Sequence, residues 1–250
     1  MKNLLRLALL ALVSALVLPV QAQDKVIRIG VLMPISGPGS YFGVMGKEGI
    51  DLALEQLKGG VNGYKLQVQY EDSACSPLQA TNTVKRVLEQ LKPHIVIGEE
   101  CSDASLAIAP ILEQAKVVQL NAGSVTMKLT ESGYKYVFRI FPNAEQQSLP
   151  LVKVAREKLK AQTAVVLFEK TNAGIDNAEG FATLFEKNGG KVTYVIYSDE
   201  GHGFARPENS IDFNARAENF LSQCLGGRAE TISGEKYPGS TATVRVVGAK

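Results

Sequence analysis

The stretch HIVIGEECSDASLAIAPILEQA, residues 94–115, decides the predicted fold because it joins a buried strand, a polar turn and a helix in one short run. Residues 95–97 are wholly apolar and β-branched, which is typical of a parallel strand buried on both faces. Ser102 and Asp103 follow the turn, and either side chain can cap the helix that begins near Ala104. Backbone N–H groups at such a helix start, beside a free hydroxyl, bind carboxylate or phosphate groups. The stretch therefore predicts an anion-binding turn in an α/β fold.

Strand and helix patterns alternate on both sides of this stretch. Strands are predicted at residues 26–33, 64–70, 95–97, 117–120 and 136–141. Helical patterns lie between the first four of these strands, and this alternation indicates a parallel sheet flanked by helices. The turn Asn121-Ala-Gly-Ser124 follows the fourth strand, so Gly123 and Ser124 should face Ser102 across the same sheet edge. Ligands of open α/β sheets bind at such an edge.

The second half of the chain begins a further α/β unit. Helices are predicted at 145–160, 175–188 and 211–225, and strands at 164–168 and 192–197. A polar loop broken by Gly and Pro covers residues 200–209, and residues 241–247 are a candidate edge strand. We interpret the new series of helices and strands after residue 141 as the beginning of a second lobe.

The N-terminus has the pattern of a secretory signal peptide. Lys2 and Arg6 precede an apolar run at 7–18, and Pro19 is followed by a small-residue ending at Ala22, where cleavage is expected. A membrane anchor is the alternative, but a span needs about 20 apolar residues and this run is shorter. The sequence therefore predicts export to the periplasm, with no stable anchor after cleavage.

Charge and histidine content exclude several functions. Removal of Lys2 and Arg6 lowers the formal net charge from +2 to 0, which leaves no basic surface for nucleic acid or acidic lipid. The two histidines, His94 and His202, cannot form a metal-ligand cluster. We expect neither a metal nor a cofactor.

The three cysteines are interpreted for an oxidising compartment. Cys75 and Cys101 each follow a predicted strand, and parallel strands end on the same sheet edge, so we predict that they form a disulfide. Cys224 lies on the apolar face of the last predicted helix and is expected to be a free, buried thiol.

Four segments in order and at matching spacing carry a resemblance to a known family. They are IRIGVLMPISGPGSYFG (27–43), GGVNGYKLQVQYEDSACSPLQA (59–80), IGEECSDAS (97–105) and KLTESGYKYVFRI (128–140). Up to about residue 190 the chain resembles the periplasmic branched-chain amino-acid-binding proteins, the type I solute-binding components of ABC transporters. The resemblance implies a clamshell of two lobes that holds the α-ammonium and α-carboxylate of an amino acid, and an inner-membrane permease as partner.

The same resemblance implies roles for individual residues. Ser102 matches the serine whose hydroxyl meets the ligand, Phe42 matches an aromatic wall of the pocket, and Cys75 with Cys101 match the family's disulfide pair. The sequence also departs from the family pattern. Val125 stands at the family's second-turn threonine, flanked by Ser124 and Thr126, and Ala173 stands where a second-lobe tyrosine is expected.

Glu99 and Glu100 replace neutral or apolar residues beside Ser102. A carboxylate at the pocket favours a ligand with an extra positive charge, because an unpaired buried Glu is costly. The alternative is a solvated pair of side chains at the end of a strand.

The end of the chain resembles a different family. The segment YVIYSDEGHGFARPENSIDFNARAENFLSQCLGGRAE (194–230) resembles the C-terminus of prolyl oligopeptidase-family enzymes, in which the histidine of EGHGF, here His202, is the catalytic base. Such a base needs a serine, normally in a G-x-S-x-G elbow, and an acid. The sequence has no such elbow, so we predict no enzymatic activity.

These resemblances predict a chimera. The predicted domains are a signal peptide (1–22), a first ligand-binding lobe (23–141), a partial second lobe (142–190) and a peptidase-like tail (191–250). The expected function is binding of amino acids for an ABC transporter, impaired by truncation of the second lobe. The alternatives are the remnant of a serine peptidase and an inert chimeric fragment.

Overall fold

The structure is a computed structural model that describes residues 25–37, 39–201, 203–229, 232 and 235–248. The predicted signal peptide, His202 and the side chain of Cys224 lie outside this description, so the predictions made for them stay predictions.

The first lobe is built on a six-stranded sheet. Its strands are β1 (Val26–Met33), β2 (Gly60–Val61), β3 (Tyr64–Asp72), β4 (Ile95–Gly98), β5 (Val118–Asn121) and β6 (Val137–Arg139), in the order β2-β3-β1-β4-β5-β6. All neighbours are parallel except β2 and β3, which form a short antiparallel pair that the sequence pattern did not predict. Each pair of parallel strands needs a crossover, which the helices supply.

Four helices belong to this lobe: α1 (Ser40–Gln56), α2 (Pro77–Gln90), α3 (Ser102–Ala115) and α4 (Lys128–Glu131). Helix α2 begins with Pro77 in its first turn and with the Ser76 side chain accepting a hydrogen bond from the Gln79 N–H. Helices α2 and α3 pack on the sheet around one apolar core. Its buried members are Leu32, Ala80, Val84, Val87, Leu91, Val96, Cys101, Ala104, Ile108 and Leu112.

The second lobe follows β6. Its elements are α5 (Ala144–Lys153, continued as a π-helix over Val154–Lys158), β7 (Thr163–Glu169), α6 (Asn172–Lys187), β8 (Lys191–Tyr197), α7 (Pro207–Leu225) and β9 (Thr243–Gly248). The sheet order is β7-β8-β9, with β8 parallel to β7 and antiparallel to β9. Helix α5 starts with a capping box in which Asn143 and Gln146 bond each other's backbone N–H groups.

The observed architecture confirms the predicted class, an α/β lobe with a parallel sheet flanked by helices and a second α/β lobe completed by a strand-loop-helix segment. None of the helices in the described part of the chain combines the length and apolar character needed to cross a membrane.

Candidate functional site

A cleft of about 750 Å³ lies between the two lobes. The first lobe contributes helix α1 and the turns that follow β4 and β5, and the second lobe contributes the first turn of α5, the first two turns of α6 and Gly203. Of the five residues predicted to bind the ligand, Phe42, Glu100, Ser102 and Gly123 line the cleft, whereas Ser124 is buried behind Ser102. The structure thus brings the two predicted turns together at one edge of the sheet.

A disulfide fixes the first of these turns. Cys75 and Cys101 are bonded, with their Cα atoms 5.4 Å apart, as the sequence predicts. The bond ties the segment after β3 to the start of α3. Both sulfur atoms lie next to Gly39, where an added Cβ would be 3.1 Å from the Cys75 Sγ and 3.4 Å from the Cys101 Sγ. The loop before α1 therefore packs directly on the disulfide.

Glu99 lies beneath this turn and is fully buried. Its carboxyl accepts hydrogen bonds from the Ser73 hydroxyl (Oγ to Oε1, 2.5 Å) and from the Cys101 N–H (N to Oε2, 2.6 Å). Burial raises the pKa of this carboxyl to about 7, although the two hydrogen bonds act in the opposite direction. Glu99 is therefore a structural group behind the cleft.

The main chain of Glu99 is held as firmly as its side chain. Its carbonyl oxygen accepts hydrogen bonds from the Ser105 hydroxyl at 2.5 Å and from the Asn121 side-chain amide at 2.6 Å. Asn121 also donates to the Ser105 hydroxyl at 2.9 Å. All three residues are buried, so this network sets the position of the next residue, Glu100.

Glu100 points into the cleft between two glycines, Gly46 and Gly123. One carboxylate oxygen, Oε2, is buried and has no hydrogen-bond partner. Burial raises the pKa of this carboxyl above its ordinary value. The alternative of a solvated Glu99–Glu100 pair is wrong, because Glu99 is fully buried in the fold and Glu100 is half-buried at the cleft.

Ser102 lines the cleft, and its hydroxyl group meets a second hydroxyl group that lies behind it. Ser102 and Ser124 are both buried, and the Ser124 hydroxyl donates to the Ser102 hydroxyl at 3.2 Å. Helix α3 begins at Ser102 with Cys101 at its N-cap, and no side chain caps it. The expectation that Ser102 or Asp103 caps this helix is therefore wrong. Its first N–H groups and positive dipole end are available to an anion at the cleft.

The second turn is held from behind by Arg139. The guanidinium donates to the carbonyl oxygens of Ser124 at 3.3 Å and Thr126 at 2.7 Å. Val125, at the family's threonine position, lines the cleft with its apolar side chain. Thr126 is turned away and donates to Asp176.

Hydrogen bonds join the lobes beside the cleft. Buried Asp176 of α6 accepts from the Thr126 hydroxyl and from the Met127 N–H at 3.1 Å. Asp103 in the first turn of α3 accepts from the Asn172 side-chain amide at the start of α6. These contacts place Ala173 and Asn177 of α6 in the wall of the cleft opposite Ser102.

The lining residues that the sequence did not predict include Met45, Gly46, Phe141, Gln147, Asn177 and Gly203. Met45 lies one helical turn after Phe42, so helical spacing from the predicted aromatic wall could have found it. Phe42, Met45 and Phe141 are 62%, 53% and 40% exposed, which gives the cleft an apolar, solvent-accessible wall. Within the described residues, no group of three His, Cys, Asp or Glu side chains is arranged to hold a metal ion.

The family match and the similar curated proteins point to the same family of proteins. Residues 26–207 match the profile of the family described as "Periplasmic binding protein". An amino acid binding protein of Pseudomonas aeruginosa is 31% identical over 218 residues, which cover 86% of this chain and 56% of that protein. The chain spans about half the length of the curated solute-binding relatives it matches.

Solved structures share the fold. A leucine binding protein from Thermotoga maritima is 27% identical with a TM-score of 0.67, covering 81% of this chain and 61% of that one. An ABC-transporter solute binding protein from R. palustris, in complex with 4-hydroxybenzoate, is 25% identical with a TM-score of 0.66, covering 80% of this chain and 52% of that one.

A short segment is similar to an enzyme. The dipeptidyl aminopeptidase BIII of Pseudoxanthomonas mexicana is 64% identical over 55 residues, which are 22% of this chain and 8% of the enzyme. The family match, in contrast, covers most of the chain and includes the first sheet and the strands β7 and β8 of the second, as far as residue 207. By its sequence and by its fold, the chain belongs to the periplasmic binding protein family.

Proposed function

We propose that the chain is the exported solute-binding component of an ABC transporter and that its solute is an amino acid. The observation that carries the proposal is the floor of the cleft, where the Ser102 hydroxyl stands at the uncapped start of α3. A relative from Pseudomonas aeruginosa is named an amino acid binding protein, which supports the choice of solute.

The geometry suits the carboxylate and the side chain of an amino acid. A carboxylate at the start of α3 would accept hydrogen bonds from the first-turn N–H groups and from Ser102, and the dipole of α3 would stabilise its charge. An aliphatic side chain would lie against Phe42, Met45 and Phe141 and remove apolar surface from water.

Export and partner form part of the same proposal. The pattern at residues 1–22 supports delivery to the periplasm, where an inner-membrane permease would receive the solute. The family description and the R. palustris relative, an ABC-transporter solute binding protein, support this placement. We propose no nucleic-acid or lipid partner, because the net charge after residue 22 is zero.

We further propose that residues 142–190 form part of a family-type second lobe and that residues 191–250 are a peptidase-like tail. The similarity to the dipeptidyl aminopeptidase over 55 residues supports the tail. The family match continues through β8 to residue 207, so β8 fits both descriptions. Because only part of the second lobe is of the family type, we expect weak solute binding. The charged groups of a solute that is held mainly by the first lobe stay half solvated.

A binding screen tests the main proposal. Purified protein is titrated calorimetrically with each common amino acid, beside a Ser102→Ala variant and a Ser132→Ala control on the exposed end of α4. We expect at least one amino acid to bind and Ser102→Ala to weaken it about tenfold or more, as for the loss of a hydrogen bond to a charged group. No binding by any amino acid, or equal binding by the Ser102→Ala variant, would contradict the proposal.

A serine peptidase is the second candidate, favoured by the dipeptidyl aminopeptidase similarity. We propose that the chain has no such activity, because His202 lacks a G-x-S-x-G serine to activate. Chromogenic dipeptide substrates with proline or alanine before the leaving group measure it directly. Turnover that disappears in a His202→Ala variant would establish the enzyme.

A further inference from the structure

Glu100 is the one charged side chain among the described residues that line the cleft. The other lining side chains are apolar, small or neutral polar groups. The electrostatic character of the cleft is therefore set by one carboxylate and by the dipole end of α3, which have opposite signs.

The backbone around Glu100 is shaped to admit its side chain. A Cβ added to Gly46 would lie 2.7 Å from Glu100 Oε1, and a Cβ added to Gly123 would lie 3.0 Å from both Cβ and Cγ of Glu100. Any larger residue at either glycine would press on the Glu100 side chain, at its carboxylate from position 46 and at its Cβ and Cγ from position 123. Helix α1 and the turn after β5 thus form a cradle around this one side chain.

The cradle leaves one oxygen of Glu100 without a partner. Oε2 is buried and accepts no hydrogen bond, whereas the neighbouring carboxyl of Glu99 has both oxygens bonded. A carboxylate oxygen removed from water without a donor is costly, and a cationic donor in the cleft would offset that cost. Burial also raises the pKa of Glu100, which indicates that the protein's own groups do not compensate the charged form.

We infer that Glu100 binds a positively charged nitrogen of the ligand, an ammonium or a guanidinium group, and so selects amine-bearing solutes over solutes whose only charge is a carboxylate. The inference rests on the proposed function and names its substrate class. Glu100 and Ser102 lie on the same turn, so a single lobe presents a cation acceptor beside an anion-binding helix start.

The charged nitrogen can be the α-ammonium of an amino acid or a second amine on its side chain. Five solutes separate these sources by calorimetry. Leucine carries both α-groups, 3-methylbutylamine carries the amine alone, and 4-methylpentanoate carries the carboxylate alone. Lysine and cadaverine add a second amine with and without the carboxylate.

The test compares the parent protein with Glu100→Gln, which keeps the shape of the side chain and removes its charge. Glu89→Gln, on the exposed face of α2, makes the same change of net charge away from the cleft. We expect Glu100→Gln to weaken amine-bearing solutes about 10- to 100-fold, as for a charge-assisted hydrogen bond, and to leave 4-methylpentanoate unchanged or tighter. If Glu100→Gln loses affinity for lysine and cadaverine alone, the contact is with a side-chain amine of the ligand.

Each result bears on the inference separately from the proposed function. Solute binding that is equal in the parent and Glu100→Gln would overturn the cation contact and leave solute binding intact. Tighter parent binding of 4-methylpentanoate or 4-hydroxybenzoate than of leucine and lysine would overturn it in the same way. Absence of binding by every solute would overturn both. Thermal melting of Glu100→Gln, expected at or above the parent midpoint, shows that the variant is folded.

Discussion

Glu99 is a carboxyl group that the first lobe encloses completely beneath the Cys75–Cys101 disulfide. Its pKa is about 7, whereas an ordinary glutamate has a value near 4.5. Between these two pH values the folded protein holds a proton that the unfolded chain has released. The free energy of unfolding therefore falls as the pH rises through this window.

The size of this effect gives a prediction. From pH 5 to pH 8 we expect Glu99 to lower the free energy of unfolding by about 2 to 3 kcal/mol. Glu99→Gln should remove that dependence, because a neutral amide can donate to Ser73 and accept from the Cys101 N–H at any pH. Urea unfolding at several pH values measures it, with the exposed Glu89→Gln as control. An equally steep fall in the Glu99→Gln variant would contradict the assignment.

At the residue scale, the sequence predicted that the Glu99–Glu100 pair was unusual but not what each residue does. The partners of Glu99 include Ser73, which is 26 positions away and reaches it only through the pairing of neighbouring strands. The cradle of Glu100 comes from Gly46 and Gly123, on two further segments. No local pattern contains these contacts.

At the scale of elements, the start of α3 shows where helix-capping rules stop. Ser102 and Asp103 both have side chains suited to capping, yet Cys101 is the N-cap and no side chain bonds there. Asp103 instead accepts a hydrogen bond from Asn172 of the second lobe, and Ser102 bonds with Ser124. Both side chains therefore form tertiary hydrogen bonds in place of the capping hydrogen bonds that local sequence rules predict.

The contact between α6 and the turn before α4 gives a second prediction. Asp176→Ala removes the acceptor for the buried Thr126 hydroxyl and the Met127 N–H. We expect a loss of about 2 kcal/mol in the free energy of unfolding, and faster hydrogen exchange of the Met127 amide. Asp176→Asn keeps one acceptor oxygen and should lose less. If the alanine and asparagine variants match the parent in both measurements, the contact does not join the lobes.

At the scale of the whole molecule, the disulfide links segments 26 positions apart in sequence. Closing a loop of this length in the unfolded chain corresponds to about 3 kcal/mol of stability. We expect the Cys75→Ala/Cys101→Ala double variant to melt roughly 10 °C below the parent in a calorimetric scan. Cys224→Ala is the single-cysteine control. A double variant that melts with the parent would show that the bond adds no stability.

Much of the architecture was predictable because it follows from local patterns. Apolar β-branched runs identified most of the strands, and their alternation with helices indicated the parallel sheet and the edge where the two turns meet. The short strand β2 and the lining residues Phe141 and Asn177 were not predicted. Their positions depend on how one segment packs against another, which periodicity does not encode.

The most direct test of the account is a map of amide chemical shifts in ¹⁵N-labelled protein during titration with leucine and lysine. We expect the largest changes on the two turns and the facing helix, at Glu100, Ser102, Gly123, Ala173 and Asn177. In the Glu100→Gln variant, these chemical-shift changes should be smaller at the same solute concentration. Changes centred elsewhere, or none at millimolar solute, would contradict a solute-binding cleft between the lobes.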